Sequence, residues 1–511
     1  MNAILRTVWS KEAMIAFAAL ALGILMGIAA ASGKPLIVAL VGGALGTLAL
    51  VAKPSLIFWT ATFVTLVIAG LVKYFVPTLD RIWWLAYGMA FLLYLPAMLH
   101  VLNRKSTLAK NGSVLMSICV TVFLIDLLFA TIAARSPVEQ IAVASKTLLM
   151  FSGVWVYFAF GPLPVDTVWK WLKALLWIGL IQWIFALYQF FFVRAWRQSV
   201  GKGSVSAADS VVGTFGGSMD SGGLTAVLAF FLVASIVMLI AMRREKAIGR
   251  GQLALWGFLL FLPLMFMEVK IIFIYFPIAL VVLFRVEILR RPHLFIGWSC
   301  VAAFMLIGML MLYQTVHWSA QENSDLRSSV ERVFSYSFEE ESGPDAADLG
   351  VMTRRQTIAY WWRSHNASNF HEALIGHGLG ASRTRGLALG EVAQRHQPWQ
   401  IDRTGISQLL WDVGLIGSLA ALGALYAMYR QGGRLSKSQA LLPWQRGLAR
   451  GIQAIAPLYF LSLLYRNDIP YAAPMMFLFM ASFGLIAWLT KQNGDAPSSN
   501  RKRDRTAERY A

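Results

Sequence analysis

Between about residues 315 and 405 the chain carries nine arginines, eleven aspartates and glutamates, five of its seven histidines and no lysine. A planar guanidinium grips phosphate or carboxylate through two parallel N–H bonds and keeps its charge at any depth, which an ammonium does not. Arginine without lysine points to a polyanionic ligand. The competing reading pairs the nine arginines with the eleven local carboxylates. Arg403 stands apart because it abuts an apolar run. A second chemical signal lies in FLPLMFMEVKIIFIYFPIAL, where Glu268 and Lys270 interrupt apolar sequence. Charges at such depth are costly and mark function by default; the alternative is a tight turn at the outer surface with Lys270 snorkelling. Asp126 and Asp412 read as hydrogen-bonding partners between helices.

Several chemistries find no motif. No GxxxxGK[ST] loop is present, which argues against an ATP-driven pump. His371-Glu372 opens like a zinc-protease motif, but Ile375 stands where its second histidine belongs. GHGLG at 376–380 is too short for a dinucleotide fingerprint and follows no βαβ pattern. The five loop histidines match no zinc spacing, and Cys119 and Cys300 both lie inside apolar runs. No metal or other cofactor is expected.

The elements that position these residues follow from composition. The 511 residues are 58% hydrophobic and 14% charged, with a mean hydropathy of +0.60, where a soluble domain has roughly 45–50% apolar and about 25% charged residues. The chain is therefore expected to be an all-α polytopic membrane protein. Apolar runs recur at about 14–32, 35–52, 55–75, 82–102, 114–134, 143–161, 169–193, 222–242, 253–267, 270–286, 294–314, 406–428, 451–465 and 471–489, or about fourteen helices at about 20 residues per crossing. The first run is read as a retained helix despite the cleavage-like AAAS near its end.

More than half of the 45 Lys and Arg fall on one side, in short loops around 104–110, 243–250, 285–291 and 430–450 and in the tail. Both termini are then expected in the cytoplasm, and the net charge of +19 is a topology signal plus attraction to anionic lipid rather than a sign of nucleic acid. Residues 1–314 form the N-terminal helices, with an outer loop at 194–221, and 315–405 form a large folded loop between the eleventh and twelfth helices. Residues 406–489 form the C-terminal helices and 490–511 a basic, disordered tail. Within the large loop, VMTRRQTIAYWWRSHNASNF reads as an amphipathic helix, with Val351, Ile358 and Trp361 or Trp362 on the membrane surface.

With these elements in place, the chain resembles the bacterial O-antigen ligase/polymerase superfamily, the Wzy- and WaaL-type membrane glycosyltransferases. VVGTFGGSMDSGGL at 211–224 resembles the family's G-T-F-G-x-x-N segment, with Asp220 and Ser221 departing from it. EVK at 268–270 occupies the place of its intramembrane Ser-Arg-Gly, so Lys270 stands in for the arginine. TRRQTIAYWW at 353–362 resembles the Arg-x-x-x-Trp opening of a periplasmic helix, and IGHGLGA at 375–381 its glycine turn. Ligases carry His, a small polar residue, nine residues, then Gly-x-x-Gly. Here Gly414 and Gly417 supply the glycines, but Arg403 and Thr404 precede them. Arg403 and Gly414 thus show the Arg–ten residues–Gly spacing of Wzy-type polymerases, while His396 lies seven residues upstream of Arg403.

The resemblance implies polymerisation of undecaprenyl-diphosphate-linked repeat units into exopolysaccharide or O-antigen, at the periplasmic face of the bacterial inner membrane, without ATP or metal. Membrane lipids and polysaccharide export or chain-length proteins are the implied partners. Lys270, Arg354, Arg355 and Arg403 would hold the diphosphate, with Arg383 and Arg385 assisting and Glu268 nearby. His396, Asp402 and His377 are equal candidates for a general base. Gly376, Gly378 and Gly380 either shape a turn or cradle phosphate. The alternatives are a ligase with another acceptor and, in a different class, a lipid-linked oligosaccharide flippase, which would need a charged central path.

Overall fold

The computed structural model describes residues 54–103, 114–199, 210–218, 224–267, 269, 271–291, 293, 296, 352–365, 369–384 and 388–495. The chain divides into two units, residues 1–61 and 62–511. Of the first, only residues 54–61, the start of an apolar helix, are described.

Every regular element among the described residues is helical. Ten helices are long and apolar enough to cross a membrane: α1 Pro54–Phe75, α2 Pro77–Asn103, α3 Val114–Ala133, α4 Val138–Phe160, α5 Val165–Arg197, α6 Thr225–Arg244, α8 Ile272–Arg290, α12 Gly405–Leu435, α13 Pro443–Tyr465 and α15 Ala473–Gly494. A shorter apolar helix, α7 Arg250–Phe266, precedes α8. The multi-pass, all-α reading holds at this level. The expected runs at 14–32, 35–52 and, apart from Ile296, 294–314 lie outside the described residues.

Several boundaries differ from the sequence reading, each for a local reason. α4 starts at Val138 because Pro137 caps it, and α13 starts at Pro443, a proline in the first turn where its missing N–H costs nothing. The last helix continues to Asp495, so the expected tail is helical over its first six residues; the rest of the tail lies outside the described residues. α5 runs through Arg194, where an outer loop was expected.

The expected outer loop at 194–221 includes Ser210–Ser218. This non-helical segment is buried within the bundle. Gln189 accepts the amides of Val212 and Gly213 at 2.9 and 2.7 Å. Gln182 accepts Thr214 N–H at 3.0 Å, and Thr214 donates its hydroxyl to Leu66 O at 2.7 Å. Irregular backbone at membrane depth survives only where protein satisfies its polar groups, and these two glutamines from α5 do so.

The core lies where α6, α13 and α15 meet, with Phe230 and Tyr459 ring centroids 4.7 Å apart and the Tyr459 hydroxyl 2.9 Å from Ser482 Oγ. Small residues bring the helices together: a side chain at Gly447 would meet Met242 Cα at 2.8 Å. Three short helices belong to the large loop: α9 Arg354–Ser364, α10 Phe370–Ile375 and α11 Glu391–Arg395; α14 Asp468–Tyr471 joins α13 to α15. The end of α3, the starts of α4 and α12, the end of α13, and α14 all meet this loop, which therefore covers one end of the bundle.

Candidate active site

The loop is fixed by a fault in α12. Gly414 has φ 59° and ψ −160°, which breaks the helix two residues after the buried Asp412. The freed carbonyls are taken by loop amides, His377 N–H to Trp411 O and Gly378 N–H to Asp412 O, both at 2.9 Å. Gly376 fits because it has no side chain, since a Cβ there would lie 2.5 Å from Gly414 N. The Asp412 carboxylate completes the clasp, accepting Gly380 N–H at 3.1 Å, Ser382 N–H at 2.9 Å and the Ser382 hydroxyl at 2.8 Å. Asp412 thus ties a loop to a helix rather than one helix to another.

The remaining amides of the turn are also engaged. Gly376 N–H bonds Glu372 O, Ala381 N–H bonds Gly378 O and Arg383 N–H bonds Gly380 O. Leu379 N–H goes to Thr131 Oγ1 and Thr384 N–H to Asp402 Oδ2, each at 3.1 Å. Gln140 bridges from α4, donating to Leu379 O and accepting Glu391 N–H. From 376 to 384 every amide has a partner. Of the two roles open to Gly376, Gly378 and Gly380, this geometry serves the turn. Gly417 likewise packs closely, since a Cβ there would meet Asp126 Oδ2 at 2.5 Å.

Three arginines converge on the connection between α13 and α15, and Arg403 lies between two residues whose backbones bond to it. Arg354 donates from Nε to Tyr465 O at 2.7 Å, its guanidinium 4.1 Å from the Tyr465 ring centroid. Arg383 lies 5.1 Å from the Tyr471 ring centroid. Asp402, adjacent to half-buried Arg403, accepts from the hydroxyls of Thr384 and Tyr471, and its own carbonyl takes Asn467 Nδ2–H at 2.6 Å. Arg466 pairs with Asp468 at 3.3 Å, and its carbonyl accepts Gly405 N–H. Local capping aims the helices that carry this group: Thr353 caps α9 and Thr404 caps α12, each accepting an amide three residues on.

The candidate residues separate accordingly. Arg354, Arg383, Arg403 and Asp402 come together. Arg355 is exposed on α9. Glu268, Lys270 and Arg385 lie outside the described residues. The flanking Tyr275 of α8 neighbours Ser462, Arg466 and Asp468. Trp362 is 69% exposed, whereas Trp361 is 2% exposed and donates Nε1–H to Leu410 O at 3.0 Å. The amphipathic helix therefore turns Trp362 outward and Trp361 in.

The three base candidates have different surroundings. Asp402 is 3% exposed and its carboxylate already accepts three bonds. Tyr471 keeps its proton because burial and the Asp402 charge raise its pKa well above the ordinary value, so it remains the donor. His365, His377 and His396 gather around Trp411, with ring centroids 5.2, 5.8 and 4.9 Å from the indole. Burial pushes His377 down to about 4, and its Nε2 is buried without a hydrogen-bond partner among the described residues. Burial also lowers His396, whose Nδ1 lies 2.8 Å from the Tyr360 hydroxyl.

Beneath the loop, a cavity of about 340 Å³ runs between α3, α4, α12 and α15. Arg383, Gln408, Asp412 and Tyr471 line it at the loop end, while Leu124, Ala424, Phe483 and other apolar residues line the remainder. Sequence reading missed Tyr471, Asn467, Tyr465 and Gln140. The run YRNDIPY, polar residues packed into the short break between two spans, is the signal that could have found the first three.

Compared with known proteins, the chain matches no protein-family model and no curated protein sequence.

Proposed function

We propose that the chain is a membrane glycosyltransferase that polymerises lipid-diphosphate-linked oligosaccharide units, as its resemblance to the Wzy-type polymerases implies. The observation that carries this reading is the cavity whose lining changes from apolar to polar at the loop end, where Arg383 stands beside Gln408, Asp412 and Tyr471. An amphiphile with a long hydrocarbon chain and a diphosphate head has that polarity. Its chain would lie among Leu124, Ala424 and Phe483, and its diphosphate would meet Arg383, with Arg354 of α9 against Tyr465 and Arg403 at the start of α12. The convergence of these arginines favours an enzyme over a flippase, which needs its charge along a path through the bundle.

In the reaction, an acceptor hydroxyl attacks the anomeric carbon. The bond to the diphosphate breaks with its electron pair on the departing oxygen, so negative charge grows on the leaving group. Fixed guanidinium groups stabilise that charge more in the transition state than in the ground state, and one such donor is worth about 10²–10³-fold in rate. His396 takes the hydroxyl proton. It is neutral at pH 7, half-buried and oriented through Nδ1 by Tyr360. Asp402 holds Tyr471 and Thr384, which keeps Arg383 over the Tyr471 ring.

The basic end of the bundle would face the cytoplasm and the loop the periplasm of a bacterial inner membrane. A ligase would share this chemistry with another acceptor; Arg403 in place of the ligase histidine favours the polymerase. The lipid-linked glycan profile of a strain lacking the chain tests the reading. Single repeat units accumulating on the outer leaflet support polymerisation. Long lipid-linked chains without surface polymer would indicate a ligase, and units trapped on the cytoplasmic leaflet a flippase.

A further inference from the structure

At the opposite end of the bundle a second cavity, of about 420 Å³, lies between α5, α6, α7, α13 and α15. It begins at Trp169, Lys173 and Gln252 and reaches inward to Phe230 and Tyr459. Its polar wall groups are already engaged. Ser235 donates to Phe231 O and Ser482 to Leu478 O, each at 2.8 Å, and Gln252 Oε1 accepts Gly249 N–H at 3.0 Å. A water there would find few partners, so the space suits hydrocarbon.

The mouth has a different character. The Lys173 ammonium, exposed, lies 5.1 Å from the Trp169 ring centroid. Trp169 in turn lies 5.1 Å from Trp444, which stacks on Trp488 at 6.1 Å. Clustered indoles mark the level of lipid headgroups. Lys170, Lys246 and Arg250 are exposed close by in sequence, with Asp166 the acidic residue on α5. Glu245, the carboxylate at the end of α6, is already shared by Arg446 and Arg450 at 3.0 and 2.8 Å. The uncompensated charge at the mouth is positive, and basic pockets between spans at this level take anionic headgroups.

We infer that this cavity binds one anionic diacyl phospholipid, with an acyl chain against Trp177, Phe231, Met238 and Ile452 and the phosphate against Lys173. The site shares no residue with the candidate active site and stands independently of the proposed reaction. A bound chain would fill the gap between α5 and α13 and hold the basic end of the bundle together.

The test is native mass spectrometry of the full chain, purified in detergent and given equimolar dioleoyl phosphatidylglycerol and dioleoyl phosphatidylcholine, which differ only in headgroup. The unaltered chain should retain the anionic lipid about fivefold better, the ratio that corresponds to ~1 kcal/mol for one basic residue at an anionic surface. Lys173→Gln should lose the preference, and Lys173→Arg should keep it. Ala234→Phe, which places a ring in the cavity, should lose retention of both lipids. Equal retention by the unaltered chain, an unchanged preference in Lys173→Gln or unchanged retention in Ala234→Phe would each overturn the inference.

Discussion

Tyr471 donates its phenolic proton to the carboxylate of Asp402, a residue sixty-nine positions earlier that is 3% exposed. The same carboxylate receives Thr384, so one buried charge joins the glycine turn, the start of α12 and the connection before α15. Removing one donor from a buried carboxylate costs its desolvation, about 1–3 kcal/mol. Tyr471→Phe should lower stability by about that amount, measured by thermal unfolding in detergent. It should also reduce turnover, because Arg383 rests on the same ring. Asp402→Asn should do the same, and a stable, fully active Asp402→Asn would contradict the positioning of Arg383 through this carboxylate.

Gly414 and Gly376 face each other where only glycine fits. Their backbone angles, φ 59° with ψ −160° and φ 77° with ψ −168°, fall where other residues are strained by about 1–3 kcal/mol. A Cβ on Gly414 would also lie 2.4 Å from Leu374 O. Gly414→Ala should therefore lower expression and melting temperature sharply. Gly257 in the middle of α7 has nothing within 4 Å of a built Cβ, so Gly257→Ala should raise stability by roughly 0.5–1 kcal/mol. Equal tolerance of both substitutions would contradict the packing described for the turn.

Much of the fold was legible in the sequence, because a lipid-facing span needs about 20 apolar residues and turns need their breakers. Arg354, Arg383 and Arg403 were legible as chemistry through the absence of lysine around them. The shared placement of Arg354 and Arg383 was not, since it depends on Tyr465 and Tyr471 folding back across the end of the bundle. The buried course of Ser210–Ser218 was hidden for a similar reason: its stabilising partners, Gln182 and Gln189, sit two helical turns apart inside an apolar run. The glycine turn could be read as a turn or a phosphate cradle until its amides could be counted as donors.

The histidine cluster sets a pH dependence whose sign is fixed. Burial lowers His377 from 6.5 to about 4, with Glu372, His365, Arg395 and His396 around it. Below the unfolded value the unfolded chain binds more protons than the folded one, so stability falls with acidification. It should be fully present above about 6.5 and decline as pH drops toward about 4, followed by the thermal midpoint of the purified protein. His377→Gln should flatten that decline. Activity that depends on neutral His396 should persist below the ordinary histidine range, and His396→Gln should remove the acid limb of the rate profile.

Arg354 and Arg355 are neighbours in sequence with different settings. Arg354→Ala should reduce turnover by about 10²-fold or more, as for loss of one charge-stabilising donor. Arg355→Ala, at an exposed position on α9, should have a much smaller effect. Comparable losses in the two variants would show that the arginines act through the general field of the loop rather than through the convergence on Tyr465.

The most direct measurement follows chain length in vesicles containing the purified protein and lipid-diphosphate-linked repeat units. A ladder of lengthening lipid-linked glycans is expected from the unaltered chain and none from Arg383→Ala or Arg403→Ala, with Arg403→Lys restoring little because it lacks the bidentate fork. Absence of any ladder from folded, unaltered protein, or an undiminished ladder from both alanine variants, would contradict the account.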